Sequence, residues 1–230
     1  MCYDMASQRP PFNWSHDLYT RHGETIEDYL RYTVIPALRE KSEEGEEIFL
    51  NEVRYRWSNH QIMNRWLQKF FSYIDRYYVK HHSRPSLKQA GLQIFKTEIY
   101  QNYKTDITNS ILMLVEQDRN GELIDKTLIY TMMELYVRMG MGSLEAYTTD
   151  LEAPFLESTR AHYQQKRMEW IANDSIPDYL IKVERAHEEE QRRVAEYLHP
   201  STESRVRAVV EDELMFVGFV VLLSGFSFKG

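Results

Sequence analysis

Apolar residues recur three and four positions apart along most of the chain, which predicts a succession of amphipathic helices. The clearest pattern covers 58–80, SNHQIMNRWLQKFFSYIDRYYVK. Ile62, Met63, Trp66, Leu67, Phe70, Ile74, Tyr77 and Tyr78 fall at helical spacing there. They predict one broad buried face on a helix of about six turns. Asn59, Tyr73 and Arg76 lie along the opposite side, with Lys69 and Lys80 beside them. Tyr and Arg are enriched where proteins anchor partners, whereas Lys is depleted there. Two readings follow: a core helix with a solvated back, or a helix that docks a partner.

Further helical patterns flank this one with almost no strand signal between them. A helix over 24–41 carries Ile26, Tyr29, Leu30, Val34 and Leu38 on one face. Pro36 lies inside it and is expected to end or kink it. Residues 42–47, SEEGEE, read as an acidic loop; they lack the alternating Asp/Asn ligands and closing Glu of a calcium loop. A short helix over 48–57 leads into 58–80, and HHSRPS at 81–86 breaks the chain. Helices are then predicted over 87–100, 107–119, 125–139, 151–173 and 176–199. Asn120-Gly121 and Gly140-Met141-Gly142 supply helix stops. From Thr202 another pattern runs through Val206, Val209, Val210, Glu213 and Leu214. The predicted fold class is all-α: antiparallel helices joined by short turns, as an α-solenoid or bundle.

Composition narrows the function. With 230 residues the chain can bury a sizeable core in one large domain or two small ones. A net charge of −7 repels phosphate, so nucleic acid is not an expected partner. The single cysteine, Cys2, excludes an intramolecular disulfide and a cysteine-based zinc cluster. The start, MCYDMASQRPPF, lacks the apolar core of a secretory signal. The sequons at Asn13 and Asn173 are thus not expected to be glycosylated, and the expected compartment is the cytoplasm or nucleus.

The constellations of enzymes are missing from the sequence. It contains no GxxxxGK[ST] phosphate loop and no GxSxG elbow. Gly140-x-Gly142 lacks the third glycine and the strand that dinucleotide binding needs. His187-Glu188 opens like a zinc-protease motif, but Gln191 stands where the second His belongs. His81 and His82 are adjacent, so on a helix they point about 100° apart and cannot share an ion. Carboxylates beside Arg and Lys read as solvated pairs on helix faces. No catalytic residue, metal or cofactor is expected, and the chain is not predicted to be an enzyme.

The residues themselves resemble a known family. RPPFNWSHDLYTRHGETIEDYLRYTVIPALREK, RWSNHQIMNRWLQKFFSYIDRYYV and LVEQDRNGELIDKTLI are similar to the N-terminal region of cullins, the scaffolds of modular ubiquitin ligases. So are LYVRMGMGSLEAYTTDLEAPFLESTRAHYQQKRMEWI and PDYLIKVERAHEEEQRRVAEYLHPSTE. The most specific pattern is Tyr163 and Trp170, then Tyr179-Leu180, then the run 188–199 ending in Tyr-Leu-His. The likeness covers about 3–214 and is to plant cullins of the first type, which work with SKP-type adaptors and F-box proteins.

This resemblance implies an α-solenoid of cullin repeats: an incomplete first repeat over 1–85, a second over 86–210 and a divergent apolar tail over 211–230. It implies a non-catalytic scaffold of ubiquitin-dependent degradation that binds an SKP-type adaptor and, through it, F-box proteins. Cullins dock the adaptor on two helices, and 58–80 resembles the second. Tyr73 and Arg76 match the family's YxDR docking pair, with Asn59, His60 and Met63 nearer the start. Tyr3, Asp4 and Met5 match the end of the first docking helix. The match also implies truncation at both ends, without the third repeat and the domain that holds the RING subunit, so no RING subunit is expected. A second expectation is a marginally folded helical remnant that binds no adaptor. The apolar stretch 214–228 covers about 15 residues, short of the roughly 20 a membrane helix needs. It reads as aberrant sequence, a buried final helix or a tail anchor, and a membrane is not an expected partner.

Overall fold

Ile26, Leu30, Val34 and Leu38 stand four apart and all are buried, as a core-facing helix requires. They belong to the first helical stretch in a computed structural model of the protein, which describes Met5, Gln8 and residues 13–216. That stretch is α1 (Ser15–Tyr29), a π-helical segment (Leu30–Val34) and α2 (Ile35–Ser42) in unbroken succession. The helix thus starts well before 24, and Pro36 does not end it. Pro36 sits in the first turn of α2, and the wider π turns before it give its ring room at the carbonyl four residues back.

Gly45, at φ 127°, makes the reversal that leads into α3 (Glu46–Phe70). Glu46 and Glu47 form the first turn of α3, where the helix dipole favours negative charge, so part of the expected acidic loop is helix. The two helices expected over 48–57 and 58–80 are not separate: α3 spans their junction and ends at Phe70, and a π-helical segment, Ile74–Val79, follows. Ser86 caps α4 (Leu87–Phe95) in a reciprocal box with Gln89. α4 continues through Lys96–Tyr100 into α5 (Gln101–Arg119), merging two further expected helices into one stretch.

Because α4 packs on both α1 and α3, it belongs to the first of two compact units, Met1–Leu114 and Val115–Gly230. The repeat boundary read at residue 85 falls inside that first unit. Phe49, Leu50, Val53 and Trp57 of α3 and Leu87 and Phe95 of α4 are all buried in its core, and the Trp57 and Phe95 rings lie 5.0 Å apart. Gly91 lies at the close approach: a Cβ there would stand 2.5 Å from Asn64 Oδ1. Asn64 Nδ2 meanwhile donates to the Lys88 carbonyl at 2.9 Å. Gly91→Ala gains about 1 kcal/mol of helix propensity but loses that buried bond and overpacks the contact, at about 1–3 kcal/mol. A lower urea midpoint for the first unit is expected; a midpoint that rises would show that Asn64 yields freely.

In the second unit Gly121 (φ 85°) and Gly142 (φ 107°) take the left-handed positions that end α5 and the turn after α6 (Lys126–Met139). A single turn, Glu145–Tyr147, leads through a π-helical segment, Thr148–Glu152, into α7 (Ala153–Asn173). Ser175 caps α8 (Ile176–Tyr197), and α9 (Glu203–Val210) extends through Glu211–Phe216. The predicted stripe Val206, Val209, Val210, Glu213 and Leu214 is buried throughout. Among the described residues there is no strand and no helix long and apolar enough to cross a membrane. Most of the apolar tail, 217–230, lies outside the described residues.

One expectation about charge is overturned here. Carboxylates beside Arg and Lys are expected to be solvated, yet Glu190 and Arg193 are 1% and 2% exposed. With Tyr179, Val183, Ala186 and Tyr197 they recur four and three apart, so they share the inward face of α8. Arg119 Nε donates to Glu190 at 2.9 Å and Arg193 Nε to Asp118 at 2.6 Å.

Candidate docking surface

The second half of α3 turns His60 and Asn64 inward and Ile62, Trp66 and Phe70 outward. Ile62, Trp66 and Phe70 are 51%, 48% and 70% exposed, and Tyr77 beyond the helix end is 52% exposed. The buried face expected through these residues is therefore reversed. The side that meets α4 is instead Val53, Trp57, His60 and Asn64. Gly91 explains the choice, since without a side chain it brings the α4 backbone within hydrogen-bonding reach of α3. His60 Nε2 donates to the Gly91 carbonyl at 3.0 Å. Its ring stacks on Trp57 with centroids 6.2 Å apart and meets Phe95 at 4.7 Å. Burial pushes the His60 imidazole down to about pKa 4, so it is neutral at physiological pH. His60, expected at the adaptor face, is a core residue.

The outward side forms a seam. Asn59, Met63, Trp66 and Phe70 are alternately four and three apart, which keeps them on one side of α3, and Tyr73 and Tyr77 continue the spacing past Phe71, where the α-helix ends. The Trp66 and Phe70 rings lie 6.0 Å apart and those of Tyr73 and Tyr77 4.4 Å apart. Lys69 Nζ sits 4.9 Å over the Trp66 ring. Of the expected site residues, Asn59, Met63 and Tyr73 lie on this seam, half-buried, and Arg76 is exposed. Arg76 lines a shallow pocket of about 410 Å³ with Gln68, Lys69, Ser72, Asp75 and Lys80. Met5 is half-buried, and its carbonyl accepts the Trp14 N–H at 3.1 Å. Tyr3 lies outside the described residues.

Reading by periodicity missed Ile62, Trp66 and Phe70 as surface residues because it assigned them to the core. A competing stripe was present: Phe49, Val53 and Trp57, extended by helical spacing, runs through His60 and Asn64. Two polar residues on that line hid it.

A second concavity, about 510 Å³, lies in the second unit between α7 and α8, with Lys166, Trp170, Lys182 and Arg185 in its lining. Three of its cations are already matched: Lys182 with Asp174 at 2.7 Å, Arg185 with Glu189 at 2.9 Å and Lys166 with Glu169 at 3.2 Å. Much of this cleft's charge is thus paired internally. The α3 seam has no such internal closure, and docking is the chemistry its geometry offers.

A model of the cullin α-solenoid domain matches residues 1–226, past the end near 214 read from motifs. Putative cullin-like protein 2 of Arabidopsis thaliana is 40% identical over 215 residues, 93% of this chain and 56% of that protein. Cullin-2 of Arabidopsis thaliana is 37% identical over 94% of this chain and 29% of its own length. Cullin-1 of Oryza sativa subsp. japonica is 39% identical over 93% of this chain and 28% of its own length. The chain thus spans about half of the first relative and under a third of the other two.

Proposed function

The chain belongs to the cullin family, and we propose that it is a non-catalytic scaffold that docks an SKP-type adaptor on the outer side of α3. Through that adaptor it would engage F-box proteins in ubiquitin-dependent degradation, in the cytoplasm or nucleus. The observation that carries this reading is the exposed seam from Asn59 to Tyr77, with Trp66 and Phe70 at its centre. A contiguous apolar row on a helix surface is the kind of patch that marks an interaction site. Trp, Tyr and Arg dominate interface energies, and the seam carries Trp66, Tyr73 and Tyr77 with Arg76 at its edge. Arg76 supplies charge-assisted hydrogen bonds.

Calorimetric titration of the full chain with a plant SKP-type adaptor tests this. Joint replacement Trp66→Ala and Phe70→Ala is expected to weaken binding about 100-fold or more, since each hot-spot truncation costs on the order of 2 kcal/mol. Both side chains are roughly half exposed or more, so the melting temperature should hardly move. A folded chain that binds no adaptor would overturn the reading.

A further inference from the structure

The charge around the seam is opposite to that of the chain. From residue 58 to 91 there are six Lys and Arg (Arg65, Lys69, Arg76, Lys80, Arg84 and Lys88) against a single carboxylate, Asp75, while the whole chain carries −7. Asp75 is already engaged: it accepts the Leu87 N–H at 2.8 Å and the Gln68 amide at 3.1 Å. Lys69, Arg76 and Lys80 line a shallow pocket beside the seam together with Asp75, and none of the three cations makes an ion pair among the described residues. Three cations thus share this pocket with one carboxylate, leaving an excess of positive charge next to an apolar strip that calls for a covering partner.

We infer that this pocket is a carboxylate socket and that the partner on α3 presents acidic side chains beside its apolar contact surface. The inference rests on the docking reading above and adds the partner's chemistry. Division of labour follows from screening. Exposed charges are screened within about 8 Å at physiological salt, so the three cations act chiefly on encounter, raising the association rate. Trp66 and Phe70 are buried once the partner seats and hold the complex together, governing dissociation.

Binding kinetics of the full chain with a plant SKP-type adaptor, at 50 and 500 mM NaCl, test this. For the unaltered chain the association rate is expected to fall at least 10-fold across that range. Lys69→Ala, Arg76→Ala and Lys80→Ala together should remove most of that salt dependence, with a smaller effect on dissociation than Trp66→Ala with Phe70→Ala. Trp66→Ala with Phe70→Ala should speed dissociation and keep the salt dependence. If the adaptor binds and the triple variant retains the full salt dependence, the socket is wrong and the docking reading stands. Absence of adaptor binding would overturn both. Duplex DNA that binds at physiological salt as tightly as the adaptor, with the same triple-variant sensitivity, would make the row a phosphate-binding surface and overturn the socket.

Discussion

Glu190→Ala is expected to destabilise the second unit by about 3–5 kcal/mol, the range for removing one partner of a buried ion pair. Glu190 accepts from Arg119 Nε at 2.9 Å, from Arg193 Nη1 at 3.0 Å and from the Tyr163 hydroxyl at 3.1 Å. Both guanidiniums are almost fully enclosed, at 1% and 2% side-chain exposure. Removing this carboxylate leaves two buried cations with Asp118 as their one remaining close, largely buried carboxylate. The large cost is that of stranding charge, not a measure of net stabilisation by the pair, since an apolar replacement of the whole network can be neutral. In thermal unfolding the change should appear as a fall of roughly 10 °C or more, at several degrees per kcal/mol for a unit of this size. Glu169→Ala is the control: its carboxylate pairs with Lys166 at 3.2 Å, the two side chains being 54% and 35% exposed, and such pairs contribute about 0–1 kcal/mol. Equal melting of the two variants would show that the Glu190 network is solvated after all.

The second large effect is an acid sensitivity centred on His60. Its folded pKa, about 4, lies below the ordinary imidazole value of 6.5 because burial disfavours the charged ring. Between those values the unfolded chain binds a proton that the folded chain refuses, so stability falls as pH drops. The contribution is fully present above about 6.5 and lost progressively towards pH 4, below which both states are protonated. At 1.36 kcal/mol per pH unit the loss is about 3 kcal/mol. His22 and His162 are lowered chiefly by burial as well, and act in the same direction. Urea unfolding at pH 7.5 and pH 4.5 should therefore show a drop that His60→Gln reduces, because an amide can donate to the Gly91 carbonyl without titrating. A drop of the same size in that variant would exclude His60 as its source.

The two effects arise at places where periodicity and burial disagree. A stripe of Tyr179, Val183, Ala186 and Tyr197 marks the inner face of α8, and Glu190 and Arg193 fall on its register. Their burial was thus readable from spacing, but charge type argued the other way. What made them tolerable inside is the Arg119 and Asp118 pair brought by α5, some seventy residues away in the chain. No local pattern records such a partner. The same holds for α3, where a longer apolar line at Ile62, Trp66 and Phe70 outweighed a shorter one interrupted by His60 and Asn64.

The sequence by itself determined the all-α class, the stops at Gly121 and Gly142, the buried stripes Ile26 to Leu38 and Val206 to Leu214, and the family. These follow from local spacing and turn chemistry, or from motifs in linear order. It also singled out the α3 region as a docking candidate, with Asn59, Tyr73 and Arg76 off the core. Only the tertiary structure decided that His60 belongs inside and that Ile62, Trp66 and Phe70 face out. The reason is physical: helical periodicity marks a stripe on a cylinder, whereas burial needs a second cylinder, and the approach of α4 through Gly91 is what selects the side.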